Sequence, residues 1–506
     1  MNINTVSKNR DKEMNSLFVK KIKTARHYYI YDVNSNDIIK VNRTIWDMID
    51  HFHKPIEQII QNMKGKYQRS EILNTYRSIK KAISSGVFSN NRPKIRSYRK
   101  NKKEVLYFFE NSGLQQIVID LTNRCNMRCK YCIFSGKYHY LRTHRNKEIS
   151  LKTAIKAVDY FIKYSSKKEK PFVTFYGGEP FLKFKLFKYI VEYVKSYGNN
   201  FHFSLTTNGT LLNNDEICSY LVENDISINI SLDGPKHIHD KNRVMFNGDG
   251  SFDQIMENLT RIKELSPTYF NTKIFYSPVV TPPYNFDEIK KFFYESKFFE
   301  INENPLNIAT VSTYATTLFK DNDMKLLNKQ LKKGWAKMLE CYKNALISGH
   351  YDELTLEKNW FHDIIDSIHF REKTPLKEYI TVIGQCIPGI RRLFVSTDGK
   401  YYMCDKVGEF FCIGDINNGL DFNRINNFFE ECDEFFKDCS DCWALRLCKR
   451  CFADVNCEDR FDKNRKDKFC KSNINYFEAI ISTYCEILEE NPNAFKKFNP
   501  EDYLKD

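Results

Sequence analysis

The distribution of the cysteines constrains this chain more than any other feature of its sequence. Of its 16 cysteines, Cys125, Cys129 and Cys132 lie within eight residues, and ten more fall between Cys386 and Cys470. The polar N-terminus lacks the apolar segment of a secretion signal, which predicts a cytoplasmic location where disulfides are disfavoured. We therefore expect both groups to bind metal or to carry redox chemistry. The isolated cysteines are expected to be buried apolar side chains: Cys218, Cys341 and Cys485.

The composition is that of a globular protein with two or three domains. Hydrophobic residues make up 42% and charged residues 28% of the 506 residues, which excludes the disordered and fibrous classes. No apolar run approaches the roughly 18 to 20 residues that span a bilayer, so we expect no membrane partner.

Positive charge is concentrated in the first fifth of the chain. Residues 1–110 hold 23 Lys and Arg against 10 Asp and Glu, whereas the remainder holds 55 against 54. This excess is consistent with a solvated surface and a basic linker. It is also consistent with a module that docks an acidic partner, either a peptide or a nucleic acid.

Residues 1–90 have the pattern of a winged-helix-like unit. Residues 27–41 combine two β-prone runs around an Asn/Ser/Asn/Asp turn, which predicts a hairpin. Three helical patterns follow, over residues 45–52, 56–63 and 71–85. A basic linker over 91–112 is predicted to leave this unit.

Strands and amphipathic helices alternate over residues 113–312, which predicts an α/β fold with a parallel sheet and right-handed crossovers. Six such units would form a partial (β/α)6 barrel. The predicted strands are Leu114–Thr122, Phe172–Tyr176, His202–Thr207, Ile226–Leu232, Thr272–Val280 and Pro305–Thr310. Three further parts follow: a helical bridge over 313–380, a cysteine-rich domain over 381–472 and a C-terminal helix within 473–506.

The three clustered cysteines follow the first barrel strand directly, in the sequence Cys125-Asn-Met-Arg-Cys129-Lys-Tyr-Cys132. Barrel folds place reactive groups at the carboxyl ends of their strands. A four-iron cluster normally takes four protein thiolates, so three thiolates leave one iron free to bind another molecule. A tetrahedral zinc loop would need a fourth ligand nearby, and the sequence does not offer one.

A glycine-rich turn follows the second strand, as Tyr176-Gly177-Gly178-Glu179-Pro180. Two glycines let the backbone approach a ligand closely, and a glutamate is an acceptor for an ammonium group. Alone, this would be an ordinary strand-to-helix turn. Its position 45 residues beyond Cys132 makes it specific.

The cysteine loop and the Gly-Gly-Glu-Pro turn together resemble those of the radical S-adenosylmethionine (SAM) enzymes. The resemblance covers residues 113–310 and implies that Cys125, Cys129 and Cys132 hold a 4Fe-4S cluster that binds SAM. One electron would then release methionine and a 5′-deoxyadenosyl radical, which abstracts hydrogen from the substrate. The residues implied to bind SAM are Tyr131, Gly177, Gly178, Glu179, Pro180, Asn208, Ser231 and Arg243.

Two of these residues rest on weaker patterns. Ser231 is expected to bind the ribose, and Arg243 to pair with the SAM carboxylate, because a guanidinium fork matches a carboxylate. The alternative is that the polar residues at these strand ends only form turns.

The second group of cysteines resembles the SPASM extension of radical SAM enzymes that modify peptides. That extension carries two auxiliary 4Fe-4S clusters, which implies three clusters in all. The resemblance assigns Cys386, Cys404 and Cys451 to the first auxiliary cluster. It assigns four cysteines to the second: Cys439, Cys442, Cys448 and Cys470. The last spacing is one residue shorter than in the family pattern, and two zinc-binding knuckles are the alternative.

One ligand of the first auxiliary cluster is missing from this pattern. Either Cys412 completes the set, or one iron is open to a substrate thiolate. Asp405 follows Cys404, at a position where the related sulfatase maturases keep a proton-accepting aspartate, and it is the candidate catalytic residue. A solvated loop residue is the alternative.

These resemblances imply an enzyme that matures ribosomally made peptides. The N-terminal module resembles leader-recognition elements, which take the leader peptide as an added strand. The expected reaction forms a thioether from a Cys sulfur. The expected partners are a precursor peptide with its leader and a one-electron donor such as flavodoxin or ferredoxin.

Two other functions remain open. One is an oxidation of protein to formylglycine, as in sulfatase maturation. The other is a nucleic-acid-directed radical enzyme or a zinc-binding adaptor. Nucleic acid is the less favoured partner, because the basic residues are not interleaved with stacking aromatics.

Overall fold

A computed structural model describes eleven stretches of the chain and five positions between 103 and 111. The stretches are 16–96, 113–138, 141–165, 170–198, 200–299, 306–312, 316–382, 387–409, 411–449, 451–457 and 460–498. None of the helices in these residues is both long enough and apolar enough to cross a membrane.

The strands in the described residues are β1 (Val19–Lys23), β2 (Tyr28–Asp32), β3 (Asp37–Val41), β4 (Lys94–Ile95), β5 (Gln116–Thr122), β6 (Phe172–Gly177), β7 (His202–Thr207), β8 (Ser227–Ile230), β9 (Ile274–Tyr276), β10 (Val279–Val280), β11 (Ala309–Thr310), β12 (Tyr379–Ile380), β13 (Leu393–Val395), β14 (Lys400–Tyr402), β15 (Cys412–Asp415), β16 (Gly419–Leu420), β17 (Asn456–Cys457) and β18 (Arg460–Phe461).

The α-helices in the same residues are α1 (Arg43–Met48), α2 (Ile56–Met63), α3 (Arg69–Ser84), α4 (Leu151–Tyr164), α5 (Phe184–Lys195), α6 (Asp215–Glu223), α7 (Lys236–Asn242), α8 (Phe252–Leu265), α9 (Pro267–Lys273), α10 (Phe286–Tyr294), α11 (Asp321–Ser348), α12 (Leu356–His369), α13 (Phe422–Phe435) and α14 (Lys463–Glu490). Short 3-10 turns occur at Ile49–His51, Pro180–Lys183, Tyr351–Glu353, Lys437–Asp441 and Phe452–Asp454.

A sheet of parallel strands forms the centre of the molecule. Strands β5, β6, β7, β8 and β9 lie side by side in that order, with Ile119 opposite Phe175 and Phe175 opposite Leu205. The connecting helices turn buried apolar residues towards the sheet, as Phe161 of α4 and Phe187 of α5 do. The predicted α/β fold with a partial barrel is confirmed.

The last two predicted barrel strands differ from the prediction. The segment Thr272–Val280 divides into β9 and β10 around Pro278, because proline has no N–H to donate to a neighbouring strand. Strand β11 then pairs in parallel with β10, with Val279 opposite Ala309. The sixth strand therefore pairs with the second half of a broken fifth strand.

The cysteine-rich segment continues the barrel sheet, which the sequence did not predict. Strands β13 and β14 form an antiparallel hairpin, with Phe394 opposite Tyr402. Strand β13 also pairs in parallel with β5, with Phe394 opposite Val118. The cysteine loop follows β5, and the loop with Cys404 and Asp405 follows β14. Because these strands belong to one sheet, the two loops have fixed positions relative to each other.

The closing helix is longer than predicted. Helix α14 begins at Lys463, where the Asp462 side chain accepts a hydrogen bond from the backbone N–H of Arg465 at 2.9 Å. An aspartate cap of this kind satisfies a backbone N–H that has no partner within the helix. The prediction missed the polar first turns, which lack an apolar stripe.

The N-terminal module has a three-stranded antiparallel sheet in the order β1-β2-β3 and three helices. The predicted hairpin corresponds to β2 and β3, with Tyr28 opposite Val41. Strand β1 was not predicted, because its sequence, Val-Lys-Lys-Ile-Lys, is too polar to indicate a strand. The predicted linker also contains β4, which pairs with β12.

The two faces of this N-terminal sheet are both covered. Alternate residues such as Ile30 pack against Ile59 and Ile72 of the module's own helices. Residues of the opposite face, such as Ile22 and Tyr31, belong to the core of the main body. This leaves the sheet edges, rather than its faces, for any additional strand.

Helix α14 lies along the β1 side of the sheet. Lys20 forms an ion pair with Glu478 at 2.7 Å. The Thr24 and Tyr29 hydroxyls donate hydrogen bonds to Glu489 at 2.8 and 2.9 Å. These contacts attach the module to the helix that contains Cys470 near its beginning.

We predict that Phe187→Ala lowers the free energy of unfolding by about 3–5 kcal/mol. The Phe187 ring is fully buried and contacts the rings of Phe175 and Phe181, so the change leaves a cavity in the barrel core. Tyr189→Ala on the same helix is the control, because that side chain is exposed. Denaturant unfolding curves of both variants measure the effect, and equal stabilities would contradict this packing.

Candidate functional site

The three clustered cysteines form a loop immediately after β5. Their side chains are half-buried, and the Cys132 backbone N–H donates to the Cys129 carbonyl at 3.1 Å. Burial raises the pKa of the Cys125 thiol to about 12 and that of Cys132 to about 11. Deprotonation there therefore depends on a bound cation, which reverses this cost.

The glycine-rich turn lies directly against the cysteine loop. The backbone N–H groups of Gly178 and Glu179 donate to the carbonyls of Thr122 and Arg124, at 2.7 and 2.9 Å. A Cβ atom at Gly178 would lie 2.0 Å from the Arg124 carbonyl oxygen. Only glycine permits this approach, so the two motifs form one structural unit.

Glu179 is fully buried beside this unit. Its carboxylate accepts hydrogen bonds from the Thr207 hydroxyl at 2.8 Å and from the backbone N–H groups of Phe181 and Asn208 at 3.1 and 2.8 Å. Burial nevertheless raises its pKa to about 7. A cationic ligand would therefore find a carboxylate that has no positively charged partner among the described residues.

Other residues predicted to contact SAM lie at neighbouring strand ends. Asn208 donates its side-chain amide N–H to Asn126 at 2.8 Å, within the cysteine loop. The Ser231 backbone N–H donates to the Thr207 carbonyl at 3.0 Å. Pro180 begins the 3-10 turn that follows the glycines.

Tyr131 and Arg243 meet on a carboxylate that the sequence analysis missed. The Tyr131 hydroxyl hydrogen-bonds to Asp233, and Arg243 Nε donates to the same carboxylate at 2.9 Å. The Arg243 guanidinium carbon is 5.4 Å from the centre of the Tyr131 ring. The signal available in the sequence was the position of Asp233 in Ser231-Leu-Asp-Gly-Pro235, just after a predicted strand.

The cysteines assigned to the first auxiliary cluster are described only in part, because Cys386 lies outside the described residues. Cys404 is half-buried and accepts a hydrogen bond from the Lys406 backbone N–H at 3.3 Å. Burial raises its pKa to about 12, and the charges of Asp405 and Cys451 contribute. The Cys404 and Cys451 thiols therefore lie within electrostatic reach of each other. Cys412, on β15, donates to the Gly414 carbonyl at 3.3 Å.

The second auxiliary group brings a 3-10 turn and helix α14 together. The Cys442 backbone N–H donates to the Cys439 carbonyl at 3.1 Å, and Asn473 lies 4.0 Å from the Cys448 sulfur. Four half-buried thiols belong to this group: Cys439, Cys442, Cys448 and Cys470. In the described part of the chain, no three Cys, His, Asp or Glu side chains are arranged around a single metal ion.

The isolated cysteines follow the prediction in two of three cases. Cys218 and Cys485 are buried, but Cys341 is exposed. Helix α11 buries its neighbours Met338 and Tyr342 instead. The apolar character of Cys341 therefore did not determine which face of the helix it occupies.

Asp405 is held by two arginines. Arg392 donates to its carboxylate at 2.9 Å, and Arg142 donates to its backbone carbonyl at 3.2 Å. Arg142 also lies 3.7 Å from the fully buried carboxylate of Asp120, whose pKa burial raises to about 6. Sequence analysis missed both Arg142 and Asp120, since neither lies in a recognisable motif.

Tyr176 connects the two halves of the site. Burial is the largest cause of the raised pKa of the Tyr176 phenol, and the charge of Asp405 raises this pKa further. Arg142 lowers the pKa and Cys132 raises it, each by a smaller amount. The phenol therefore lies within electrostatic reach of both the Asp405 loop and the cysteine loop. The Asp405 loop and the cysteine loop therefore both lie near the Tyr176 phenol.

Comparisons with known proteins agree with this geometry. Residues 119–293 match the family model of the radical SAM superfamily. A cysteine-type anaerobic sulfatase-maturating enzyme of Clostridium novyi is 26% identical over 394 residues, which cover 73% of this chain and 96% of that protein. The radical SAM cyclopropyl synthase TigE of Paramaledivibacter caminithermalis is 26% identical over 190 residues, covering 35% of this chain and 39% of TigE.

A solved structure has the same fold. Native anSMEcpe with bound AdoMet and Kp18Cys peptide matches with a TM-score of 0.53 and 20% identity, covering 75% of this chain and 99% of that chain. Residues 119–293 are thus a radical SAM domain. The predicted resemblance to the radical SAM enzymes is confirmed. The chain therefore contains a radical SAM domain, and over most of its length it is similar to an anaerobic sulfatase-maturating enzyme.

The residues present fit the groups that this family implies. Three thiols on one loop offer the sulfur donors that iron-sulfur clusters require, and they leave a fourth position open. The buried carboxylate of Glu179, beside that loop, lacks a cationic partner among the hydrogen bonds described above. SAM carries both an amine for this carboxylate and a group for the open position.

Proposed function

We propose that this enzyme modifies a ribosomally made peptide that binds through a leader segment, and that it forms a thioether from a Cys sulfur. One observation carries the proposal: in the described residues, β3 is an edge strand of the N-terminal sheet, and this module is attached to the catalytic body through helix α14. The basic charge of residues 1–110 suits an acidic leader. The proposed boundaries between the N-terminal module, linker, barrel, helical bridge, cysteine-rich domain and C-terminal helix lie at residues 90, 112, 312, 380 and 472.

Strand β3 is the proposed leader site. Helix α14 contacts the β1 side of the sheet, as the Lys20–Glu478 ion pair shows, and both faces are covered. An extended peptide can therefore gain backbone hydrogen bonds along β3, where Lys40 is exposed. Arg371 holds the beginning of this strand through Asp37 at 2.8 Å, which fixes it relative to the body.

The proposed SAM-binding 4Fe-4S cluster would be held by Cys125, Cys129 and Cys132. This cluster would supply the electron that cleaves SAM to a 5′-deoxyadenosyl radical. Glu179 would accept the SAM ammonium group. The remaining proposed contacts surround it: Tyr131, Gly177, Gly178, Pro180, Asn208, Ser231 and Arg243. For Arg243 to pair with the SAM carboxylate, it must share its guanidinium with Asp233, and a guanidinium has enough N–H donors for both.

Two auxiliary 4Fe-4S clusters complete the proposal. The first auxiliary cluster would be held by Cys386, Cys404 and Cys451, with Cys412 or a substrate thiolate as the fourth ligand. The second would be held by Cys439, Cys442, Cys448 and Cys470. Asp405 would accept the proton of the substrate thiol, since it adjoins Cys404 and faces the cysteine loop through Tyr176.

Oxidation of a protein side chain to formylglycine is the second candidate. It is favoured by the sulfatase-maturating relative, because the alignment covers 96% of that protein and 73% of this chain. A leader-containing precursor and a sulfatase-derived peptide, each incubated with the reconstituted enzyme, distinguish the two. The mass change of the product identifies the reaction, since formylglycine and a thioether differ in composition.

We predict that SAM affinity rises with pH between 6 and 7.5. Below its pKa of about 7, Glu179 is protonated and cannot pair with the ammonium group, so affinity should fall towards tenfold per pH unit. Equilibrium dialysis of the reconstituted enzyme measures this. Glu179→Gln should bind weakly without the pH dependence, while the exposed control Glu223→Gln should retain it; a pH-independent wild type would contradict the assignment.

We predict that Asp405→Asn lowers peptide turnover by about 10²-fold or more but still forms 5′-deoxyadenosine, because only the proton acceptor is lost. Mass spectrometry of the peptide and chromatography of the nucleoside give the two rates. Glu409→Gln on the same loop is the control, since its partner is the exposed Arg145. Parallel loss of both rates would show that Asp405 does not act on the peptide.

We predict that Lys40→Glu weakens binding of an acidic leader about fivefold at low salt, as expected for one exposed charge pair. Fluorescence anisotropy of a labelled leader measures the dissociation constant. Lys81→Glu, which reverses an exposed charge on α3, should change it little. Equal effects of the two substitutions would place the leader elsewhere.

A further inference from the structure

A compact group of cations covers the outer side of the cysteine loop. It consists of Arg128, Lys130, Lys137 and Lys241, together with the aromatic ring of Phe246. We call this group the cationic surface. None of these side chains has a role in the function proposed above.

Two chain segments build the surface. The Arg128 and Lys130 backbone N–H groups donate to the carbonyls of Val244 and Asn242, both at 2.8 Å. The Phe246 N–H donates to the Asn126 carbonyl at 3.2 Å. The cysteine loop and the segment after α7 therefore run side by side, and their side chains share one outer face.

Three ammonium groups are anchored by backbone carbonyls of the neighbouring segments. Lys137 Nζ donates to the Lys130 carbonyl at 3.1 Å, and Lys130 Nζ donates to the Lys241 carbonyl at 2.6 Å. Lys241 Nζ donates to the Pro282 carbonyl at 3.0 Å. Positive charges gathered on one side of the molecule produce a field that attracts an anionic partner.

Phe246 gives the surface an apolar centre. Its side chain is 73% exposed, and the Arg128 guanidinium carbon lies 4.8 Å from the centre of its ring. An aromatic side chain and an arginine are the residues that most often anchor a protein interface. Arg124, by contrast, is already paired with Glu148 at 3.2 Å.

The surface is directly attached to the proposed cluster ligands. Arg128 donates to the Cys125 carbonyl at 2.8 Å, and it lies between Cys125 and Cys129 in the sequence. A partner that binds Arg128 would therefore lie next to the cysteine loop.

We propose that the cationic surface docks an acidic one-electron carrier protein. The proposal rests on the proposed function, because cleavage of SAM consumes one electron. The carrier would lose one electron to the group that Cys125, Cys129 and Cys132 would hold. That electron would be consumed as SAM is cleaved to methionine and the 5′-deoxyadenosyl radical. A protein donor fits better than the leader, whose proposed site is β3.

The test compares two reductants on the reconstituted full-length enzyme. The triple variant Lys130→Glu, Lys137→Glu, Lys241→Glu is assayed for 5′-deoxyadenosine with a reduced acidic flavodoxin and with dithionite. At low salt the flavodoxin-driven rate should fall about tenfold or more. The dithionite-driven rate should stay within about twofold, because a small anion needs no docking surface.

Two further variants keep the test decisive. Lys329→Glu, Lys332→Glu, Lys333→Glu makes the same charge change on the exposed side of α11 and should leave both rates unchanged. Phe246→Ser leaves the charge unaltered and should slow only the flavodoxin-driven rate, about threefold. It provides the comparison if the triple variant does not take up iron.

Three results would overturn the proposal: an unchanged flavodoxin-driven rate, an equal fall with dithionite, or an equal fall in the α11 variant. Loss of leader binding in the triple variant would assign the surface to the peptide instead. If wild-type enzyme forms no 5′-deoxyadenosine with dithionite, the proposed function itself fails. That outcome is distinct from a docking defect, because it appears before any substitution is made.

Discussion

The close approach of the glycine-rich turn to the cysteine loop is the constraint on which the rest of the site depends. The backbone of Gly178 lies so near the Arg124 carbonyl that no side chain fits between them. Two loops that follow neighbouring parallel strands are thereby joined by hydrogen bonds. Glu179 is placed near Cys125 as a consequence, and its carboxylate is buried there.

A second constraint joins the cysteine-rich segment to the barrel. Because β13 pairs with β5, the loop that contains Cys404 and Asp405 is built on the same sheet as the cysteine loop. Arg142 strengthens this connection through Asp120 and Asp405. The cysteine-rich segment is therefore joined to the barrel, and the Asp405 loop is held in a fixed position relative to the cysteine loop.

Much of this organisation could be predicted from the sequence. Residue spacing indicated the cysteine loop, the glycine-rich turn and four barrel strands, because each depends on local patterns of 2 or 3.6 residues or on glycine and cysteine chemistry. The pairing of β13 with β5 and the contact of Arg142 with Asp120 could not be predicted, since both join residues that are distant in the sequence. Strand β1 and the first turns of α14 were missed because long-range packing, not local apolar periodicity, stabilises them.

The iron and sulfide content of anaerobically reconstituted protein tests the central claim most directly. The account predicts about twelve irons per chain in the wild type and about eight in the variant that lacks Cys125, Cys129 and Cys132, because each cubane carries four. An unchanged iron content in the variant would contradict the cysteine-loop assignment. Zinc in place of the remaining eight irons would contradict the auxiliary clusters.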